Sequence, residues 1–438
     1  MWVLAFAFYA ACTPRMLDYL KPPTGDEIFY LITAQSILYD HDLDETNQFR
    51  ERSWLAVYPT CAEFLRRDWK GFSAPGTPCG GLGLLEPEPT HTQVPGIYTK
   101  HGSGLSFLIV PAYALGKRVA VVFFLNGLAA LLALNVYLLA WEACGQWRVA
   151  RLCWAALSFG APIFSYAYLI FPQPVCALCI LYTYRRARLT ALARLAAAPG
   201  HAPTPANSTL QMMAVAVCLG ILPWLHHLYV LLAAPLGAYL YLGGRRRTSE
   251  GTLLAPRLVL KTTAGLPGHV ALGLMIAGLV VVYLARLVYL YGVPWPPPED
   301  HAPFNSPSML PVGFFGLLFD QKYGLLMYNP VYLIPIAWLV RLALARQQLS
   351  TVWRSELVWL LAFIAPYYVL VADYSRWWGE WCPPARYLLP VAPLLALPLA
   401  RALVHAQNRF LTWYAWGAVA WTGALTAAFI VNPILSYN

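Results

Sequence analysis

Runs of apolar residues long enough to cross a lipid bilayer decide what this chain can fold into. Val119–Trp141, His269–Tyr291 and Leu411–Val431 each carry at most one charged side chain, and a crossing helix needs about 20 such residues. A transmembrane β-barrel would instead show alternating segments of about 10 residues, and no such alternation is visible. Composition agrees: 59% of the residues are hydrophobic and 11% charged, whereas soluble domains average roughly 25% charged. So few charges cannot cover the surface of a soluble chain of this size. The expected class is an all-α integral membrane protein.

Spans are expected near 1–12, 119–141, 152–170, 174–187, 209–222, 225–242, 269–291, 330–345, 357–372, 386–404 and 411–431. Gly104–Gly116 is apolar but short, contains Pro111 and runs into Lys117-Arg118, which suits an interfacial or re-entrant helix. Charge tests this reading. If 104–116 does not cross, one side of the membrane holds 142–151, 185–208, 243–268, 341–356 and 401–410. That side collects Arg148, Arg151, Arg185, Arg186, Arg188, Arg194, Arg245, Arg246, Arg247, Arg257, Lys261, Arg341, Arg346, Arg354, Arg401 and Arg409. Its only acids are Glu142, Glu250 and Glu356, of the 20 in the chain. The basic side faces the cytoplasm. About 11 spans follow. The long loop 13–118 and the loops 292–329 and 373–385 then lie outside, in the periplasm or its equivalent, and the protein sits in the inner (plasma) membrane. A single membrane domain covers 1–438.

The net charge of +10 does not point to nucleic acid, because the basic residues sit in short loops between apolar runs rather than on a solvated domain. Cys176 and Cys179 form a C-x-x-C inside the apolar run Val175–Tyr182, where packing explains them better than redox or zinc chemistry. Cys61 and Cys79 share one external loop, so a disulfide stays open there. Trp2–Cys12 is short for a span and lacks a basic signal-peptide start, as a truncated or late-started chain would be. The sequon Asn207-Ser208-Thr209 falls on the cytoplasmic side and reads as chance. No inverted internal repeat of the transporter kind is found.

Five constellations can carry chemistry. Pro23-Thr24-Gly25-Asp26-Glu27 reads as a turn opening a helix, with carboxylates where the helix dipole favours them; Asp26 is either a cap or a reacting group. Ile28, Leu31, Ile32, Gln35 and Leu38 share one face, as on a helix lying on the membrane surface. Asp40-His41-Asp42-Leu43-Asp44-Glu45 is either a solvated turn or a divalent-cation site through Asp42 and Asp44. Tyr98-Thr99-Lys100-His101-Gly102-Ser103-Gly104 sets a compact positive charge beside two glycines that let backbone approach a ligand; the plain alternative is a snorkelling basic loop. Phe319-Asp320-Gln321-Lys322-Tyr323-Gly324 is the fourth. Arg376-Trp377-Trp378-Gly379-Glu380-Trp381, running on to Arg386-Tyr387-Leu388-Leu389-Pro390, is the fifth. Trp faces suit sugars, but Trp also favours membrane interfaces. His226 and His227 interrupt an apolar pair of helices at the outer face and could touch a ligand, with packing or interface placement the simpler reading.

Taken in order, these residues resemble the GT-C superfamily of membrane glycosyltransferases, which includes protein O-mannosyltransferases and aminoarabinose lipid A transferases. Gly25-Asp26-Glu27 followed by Asp40-His41-Asp42-Leu43-Asp44 resembles the family's first external loop. Lys100-His101-Gly102-Ser103-Gly104, Pro223-Trp224-Leu225-His226, Phe319-Asp320-Gln321-Lys322-Tyr323-Gly324-Leu325-Leu326 and Arg386-Tyr387-Leu388-Leu389-Pro390 resemble further segments of bacterial members. The resemblance implies transfer of a sugar from a polyprenyl-phosphate carrier to an acceptor on the non-cytoplasmic face. It implies Asp26 as base, with Glu27 completing an Asp-Glu pair, and Lys100 near the carrier phosphate. After Lys100 this chain has His-Gly-Ser-Gly where aminoarabinose transferases have Pro-Pro.

An inverting transfer needs one base and positive charge for the departing phosphate. Lys100, His101, Arg376, Arg386, Lys322 and Trp378 are the expected donor-binding set, with a divalent metal optional and membrane lipids as surroundings. The acceptor is left open. A glycosidase would need two carboxyl groups roughly 5–10 Å apart. A transporter or flippase would want ionisable residues deep within spans, and the spans are almost free of them, Arg286 being the clearest exception. A non-catalytic assembly protein, with Asp26 only a cap, is the third possibility.

Overall fold

A computed structural model of the chain describes residues 1–19, 23, 25–56, 87, 92–196, 207–243, 266–295, 309–345, 350–380, 382–405 and 409–437. Among these residues the structure is helical, with no strand. Four helical segments are long and apolar enough to cross a membrane: Gly104–Cys144, Ala271–Tyr291, Val352–Ala372 and Phe410–Val431. Some of them carry bare apolar faces. Within Ala271–Tyr291 an 18-residue window has a mean hydropathy of 2.3, yet only 11% of that window is buried. Trp413, Trp416 and Trp421 are each more than half exposed. Water makes such surface unfavourable by roughly 25 cal/mol per Å²; lipid does not.

The helices are α1 (Trp2–Tyr19), α2 (Glu27–Tyr39), α3 (Thr46–Arg50), α4 (Gly104–Cys144), α5 (Trp147–Ser158), α6 (Ile163–Tyr166), α7 (Pro172–Ala196) and α8 (Thr209–Leu225). They continue as α9 (Val230–Leu242), α10 (Leu266–Tyr291), α11 (Met309–Phe319), α12 (Leu325–Tyr328), α13 (Leu333–Leu344), α14 (Thr351–Ala372), α15 (Ala396–His405) and α16 (Arg409–Val431). Helix α4 is the hub, packing on α1, α2, α5, α7, α8 and α15. Its buried Ala129, Ala130, Ala133, Ala140 and Ala143 let neighbouring backbones come close, which is how helices associate where lipid supplies no hydrophobic drive.

Several expected boundaries move. Helix α1 continues through Pro14 to Tyr19, beyond the expected 1–12, because Thr13 is fully buried and donates to Asn126 Oδ1 of α4 at 2.6 Å. The expected span 152–170 is broken after Ser158. Gly160 lies where a Cβ would meet Thr422 Cγ2 at 2.3 Å. Asn329 Nδ2 donates to the carbonyls of Ala156 and Ala161 at 3.0 Å each, satisfying groups the break leaves open. The expected span 386–404 begins as two 3₁₀ turns, Arg386–Leu388 and Ala392–Leu395, since Pro390 and Pro393 cannot donate to a helix. An apolar helix, α11, occupies part of the expected loop 292–329. Within α4, Gly104–Gly116 and the following run are two helices joined at Gly116 and Lys117, where the backbone leaves helical angles and Lys117 takes φ 52°, so the expected boundary stays where the sequence put it. Helix α2 is not a surface helix with one wet face. Every residue from Glu27 to Ser36 is buried.

The expected loop 185–208 is helical as far as Ala196, and its arginines are engaged. Arg188 pairs with Glu356 at 2.6 Å, both nearly inaccessible. Arg185 pairs with Glu142 and donates to Asn135. Arg194 donates to the carbonyls of Leu240 and Gly243 at 2.9 Å, closing the C-terminus of α9 as basic residues do. At 1.5 Å per residue, Arg194 lies roughly 33 Å along α7 from Pro172. The residues around Phe171 and this basic cluster therefore occupy opposite ends of the bundle. The Cys61 and Cys79 pair, Arg245–Arg247 and Trp381 lie outside the described residues. Cys176 and Cys179 are free and buried.

Candidate active site

The end of the bundle opposite the basic cluster gathers chain breaks from distant parts of the sequence. Asp26 opens α2, and its backbone carbonyl accepts from Phe29 and Tyr30. Its side chain makes no capping hydrogen bond. It accepts instead from Arg386, across 360 residues of sequence. Lys100 and His101 are the other groups that act on Asp26. Burial pushes the Asp26 carboxyl up, but Arg386, His101 and Lys100 together outweigh it and hold the group well below the usual carboxylate range.

Arg386 is positioned from three sides. Its guanidinium lies 4.5 Å from the Phe171 ring and 5.6 Å from Tyr387, a stacking Lys could not reproduce. Its Nη1 donates to Gly379 O at 3.4 Å. Gly379 has φ 84°, and a Cβ there would meet Cys382 Sγ at 2.7 Å and Arg386 Cδ at 3.2 Å, so a side chain would strain the loop and crowd the arginine. The loop is pinned from outside too: Ala385 N donates to Tyr323 O at 3.0 Å and Tyr166 Oη to Pro383 O at 2.6 Å.

Glu27, next in sequence, points elsewhere. Its side chain is wholly buried, accepts from Ile170 N at 2.7 Å and lies 3.8 Å from Arg118 Nη2. It ties α2 to α4 and to the α6–α7 connection, so the Asp-Glu pair divides into one group at the site and one anchor beneath it.

The Lys100–Gly104 segment lies against the end of α8. A Cβ on Gly102 would meet Leu225 O and Trp224 O at 2.5 Å, and one on Gly104 would meet Trp224 C at 2.7 Å. The glycines admit another stretch of protein backbone, where the sequence suggested a ligand. This contact sets His101 against Phe29 and Tyr30, with ring centroids 5.6 and 5.4 Å apart. Lys100 itself is exposed.

The other expected residues stand further out. Arg376 pairs with Glu380 at 2.7 Å, both about half exposed. Trp378 is partly buried, edge-on to Trp377 at 5.8 Å. Trp377 is 6% exposed and fills the space over Gly316. Lys322 is exposed in a turn whose N–H groups at Lys322 and Tyr323 donate to Asp320 at 2.8 and 2.9 Å.

The acidic segment is committed to structure. Asp42 Oδ1 accepts from Ser36 Oγ at 2.7 Å and Asp44 N at 3.0 Å. Asp44 Oδ1 accepts from Thr46 Oγ1 at 2.6 Å and from Thr46 N and Ile97 N at 2.9 Å. Burial opposes ionisation of Asp44, but these three donors outweigh it and hold the carboxyl below its usual value. Asp40 and Glu45 accept from Gln48 and Thr33 at 2.5 Å each. Among the described residues no three His, Cys, Asp or Glu side chains gather as metal ligands. One oxygen of Asp42 and one of Asp44, Oδ1 in each, already serve to hold the turn to α2 and to the Ile97 segment.

Two groups at the site escaped the sequence reading. Phe171, under Arg386, had no signal beyond ending an apolar run. His226 stood in a resembling segment but with packing as the simpler reading, yet Arg386, His101 and Asp26 all act on it. The signal for it was the break that Pro223 and the two histidines make between apolar runs. No protein-family model, no curated protein and no solved structure matches this chain.

Proposed function

We propose that the protein transfers a sugar from a polyprenyl-phosphate donor to an acceptor hydroxyl, with inversion, at the end of the bundle that holds Asp26. The observation that carries this reading is the convergence of Asp26, Arg386, Lys100 and His101 from three separate motifs. A carboxylate base and cations for a phosphate are what the reaction needs, and the setting suits a lipid-borne substrate.

In this mechanism the acceptor oxygen attacks the anomeric carbon and a new C–O bond forms. The bond from that carbon to the phosphate oxygen breaks on the opposite face, and its electron pair leaves with the phosphate. Asp26 takes the hydroxyl proton. Arg386 and Lys100 neutralise the departing phosphate. The Asp26–Arg386 pair makes the order of events specific. While Arg386 serves Asp26 alone, the carboxylate is a weak base. A phosphate arriving at Arg386 shares the cation, and the proton affinity of Asp26 rises as the substrate is seated. Trp378 and Arg376 lie further out, as contacts for sugar or acceptor. The basic end then faces the cytoplasm, the site the external side, and the chain crosses the inner membrane about eleven times.

The test is Asp26→Asn in purified, correctly inserted protein, assayed with labelled polyprenyl-phosphate sugars. Loss of transfer by roughly 10²–10⁴-fold is expected for removal of a general base, with inserted yield unchanged. Transfer near the wild-type rate would exclude Asp26 as base.

A further inference from the structure

We infer that His226 is a positioning residue at this site, a neutral imidazole that donates its Nε2–H to a phosphate oxygen of the lipid donor beside Arg386. The inference rests on the transferase reading for the identity of the ligand, and on separate geometry for the role of the ring.

His226 stands where the chain stops being a helix. Its backbone is extended, at φ −167° and ψ 136°, between α8 and the 3₁₀ turn His227–Tyr229. Its own N–H still closes α8 on Leu222 O at 3.2 Å. The ring is then turned by one hydrogen bond: Nδ1 accepts from Leu228 N at 3.2 Å. A nitrogen that accepts a backbone N–H carries no proton, so the ring is neutral and its single hydrogen sits on Nε2. The neighbours favour the same state. Desolvation of the ring is the largest cause, His227, Arg386 and His101 add to it, and Asp26 alone favours a further positive charge.

The ring is held from both sides. His227 stacks on it at 4.4 Å and 25°, and Tyr229 lies 5.6 Å away. The Gly102 and Gly104 contacts with Trp224 and Leu225 lock the preceding residues to the His101 loop. His226 and His101 therefore sit at one site, brought there by two segments packed backbone to backbone. Among the described residues Nε2 makes no hydrogen bond, and the residue is only partly buried. A fixed N–H within electrostatic reach of Arg386 suits an anionic oxygen, because it adds a directed bond without adding another charge to a site already holding Arg386 and Lys100. A donor aimed where negative charge grows as the phosphate leaves acts mainly on the transition state.

Two substitutions separate this role from packing. In His226→Asn the amide oxygen stands near the Nδ1 position and keeps the Leu228 N–H satisfied, but nothing reaches the Nε2 position. In His226→Gln the amide nitrogen reaches toward Nε2. With labelled polyprenyl-phosphate sugar, Asn should lower kcat by roughly 10²–10³-fold at an unchanged thermal midpoint, and Gln should recover at least tenfold of that loss. Equal losses in both variants, or a loss that tracks a fallen thermal midpoint, would overturn the inference. A second arm measures binding of polyprenyl monophosphate and of neutral polyprenol in phosphatidylcholine nanodiscs. His226→Asn should weaken binding of the phosphate about tenfold and leave polyprenol unchanged; equal weakening of both, or of neither, would also overturn it. If the wild type transfers no sugar from any donor, the transferase reading fails. The binding arm still decides whether His226 holds a lipid phosphate.

Discussion

Asp26 and Glu27 are adjacent, and different physics governs each. Glu27 is a buried carboxylate whose nearby cation is Arg118. Removing one member of such a pair leaves the other charge uncompensated, at a cost of about 3–5 kcal/mol. Glu27→Ala should therefore lower the thermal midpoint in detergent, and Arg118→Met in the same chain should restore much of it. No recovery in the double variant would mean the two are not energetically coupled. For Asp26 the consequence lies in pH. Its folded pKa is depressed below the unfolded value of about 3.9. The contribution of the Arg386 pair is therefore complete above that value and is lost as pH falls through the folded pKa. In Arg386→Gln, burial is opposed only by His101 and Lys100, and Asp26 titrates at higher pH. The wild-type advantage in thermal stability should be greatest near pH 7 and shrink as pH falls through the variant's pKa. An advantage independent of pH would show that Arg386 stabilises by packing on Phe171 alone.

At the scale of elements, the site is made of interruptions. The start of α2, the loop before α4, the break between α8 and α9, and the 3₁₀ turns before α15 each leave a polar side chain at one end of the bundle. The contact between the start of α4 and the end of α8 is the tightest of these junctions. Gly102→Ala adds a carbon where two carbonyl oxygens stand at 2.5 Å, so the helices must part. Overpacking of this kind costs about 1–3 kcal/mol. Here it should also displace His101 and His226, so transfer should fall further than the thermal midpoint alone explains. Wild-type transfer by a stably folded Gly102→Ala protein would show that this junction does not set the site. The sequence marked these junctions by glycine and proline but could not say what they touch. Gly102 and Gly104 read equally well as a ligand cradle and as a helix contact, because a missing Cβ serves both.

For the whole molecule the question is which end faces which compartment. Arg194 lies at one end of α7 and the Asp26 site at the other, roughly 33 Å apart along the helix, about a bilayer's thickness, with Arg185 and Arg188 roughly 20 and 24 Å from the site end. Cysteines placed at Lys100 and at Arg151, both exposed, should react with a membrane-impermeant maleimide from opposite sides of intact cells and inverted vesicles. Labelling of both from one side would refute the assignment of sides. The engaged arginines sharpen the charge argument. Arg185 and Arg188 are paired inside the bundle rather than free in a loop, so orientation rests more heavily on exposed basic residues such as Arg148 and Arg151.

The sequence by itself determined the class of protein and the separation of its charges. Both follow from hydropathy summed over a run of residues, and neither depends on which helix meets which. It also picked out Asp26 and Arg386, since a charged group beside an apolar run is conspicuous wherever it folds. Only the tertiary structure decided that these two meet and that Asp26 is not a cap. It alone assigned Glu27 to the scaffold, engaged Asp42 and Asp44 in hydrogen bonds, and brought His226 within electrostatic reach of Asp26. Those are contacts between residues far apart in the chain, and their partners are chosen by packing, on which local composition is silent.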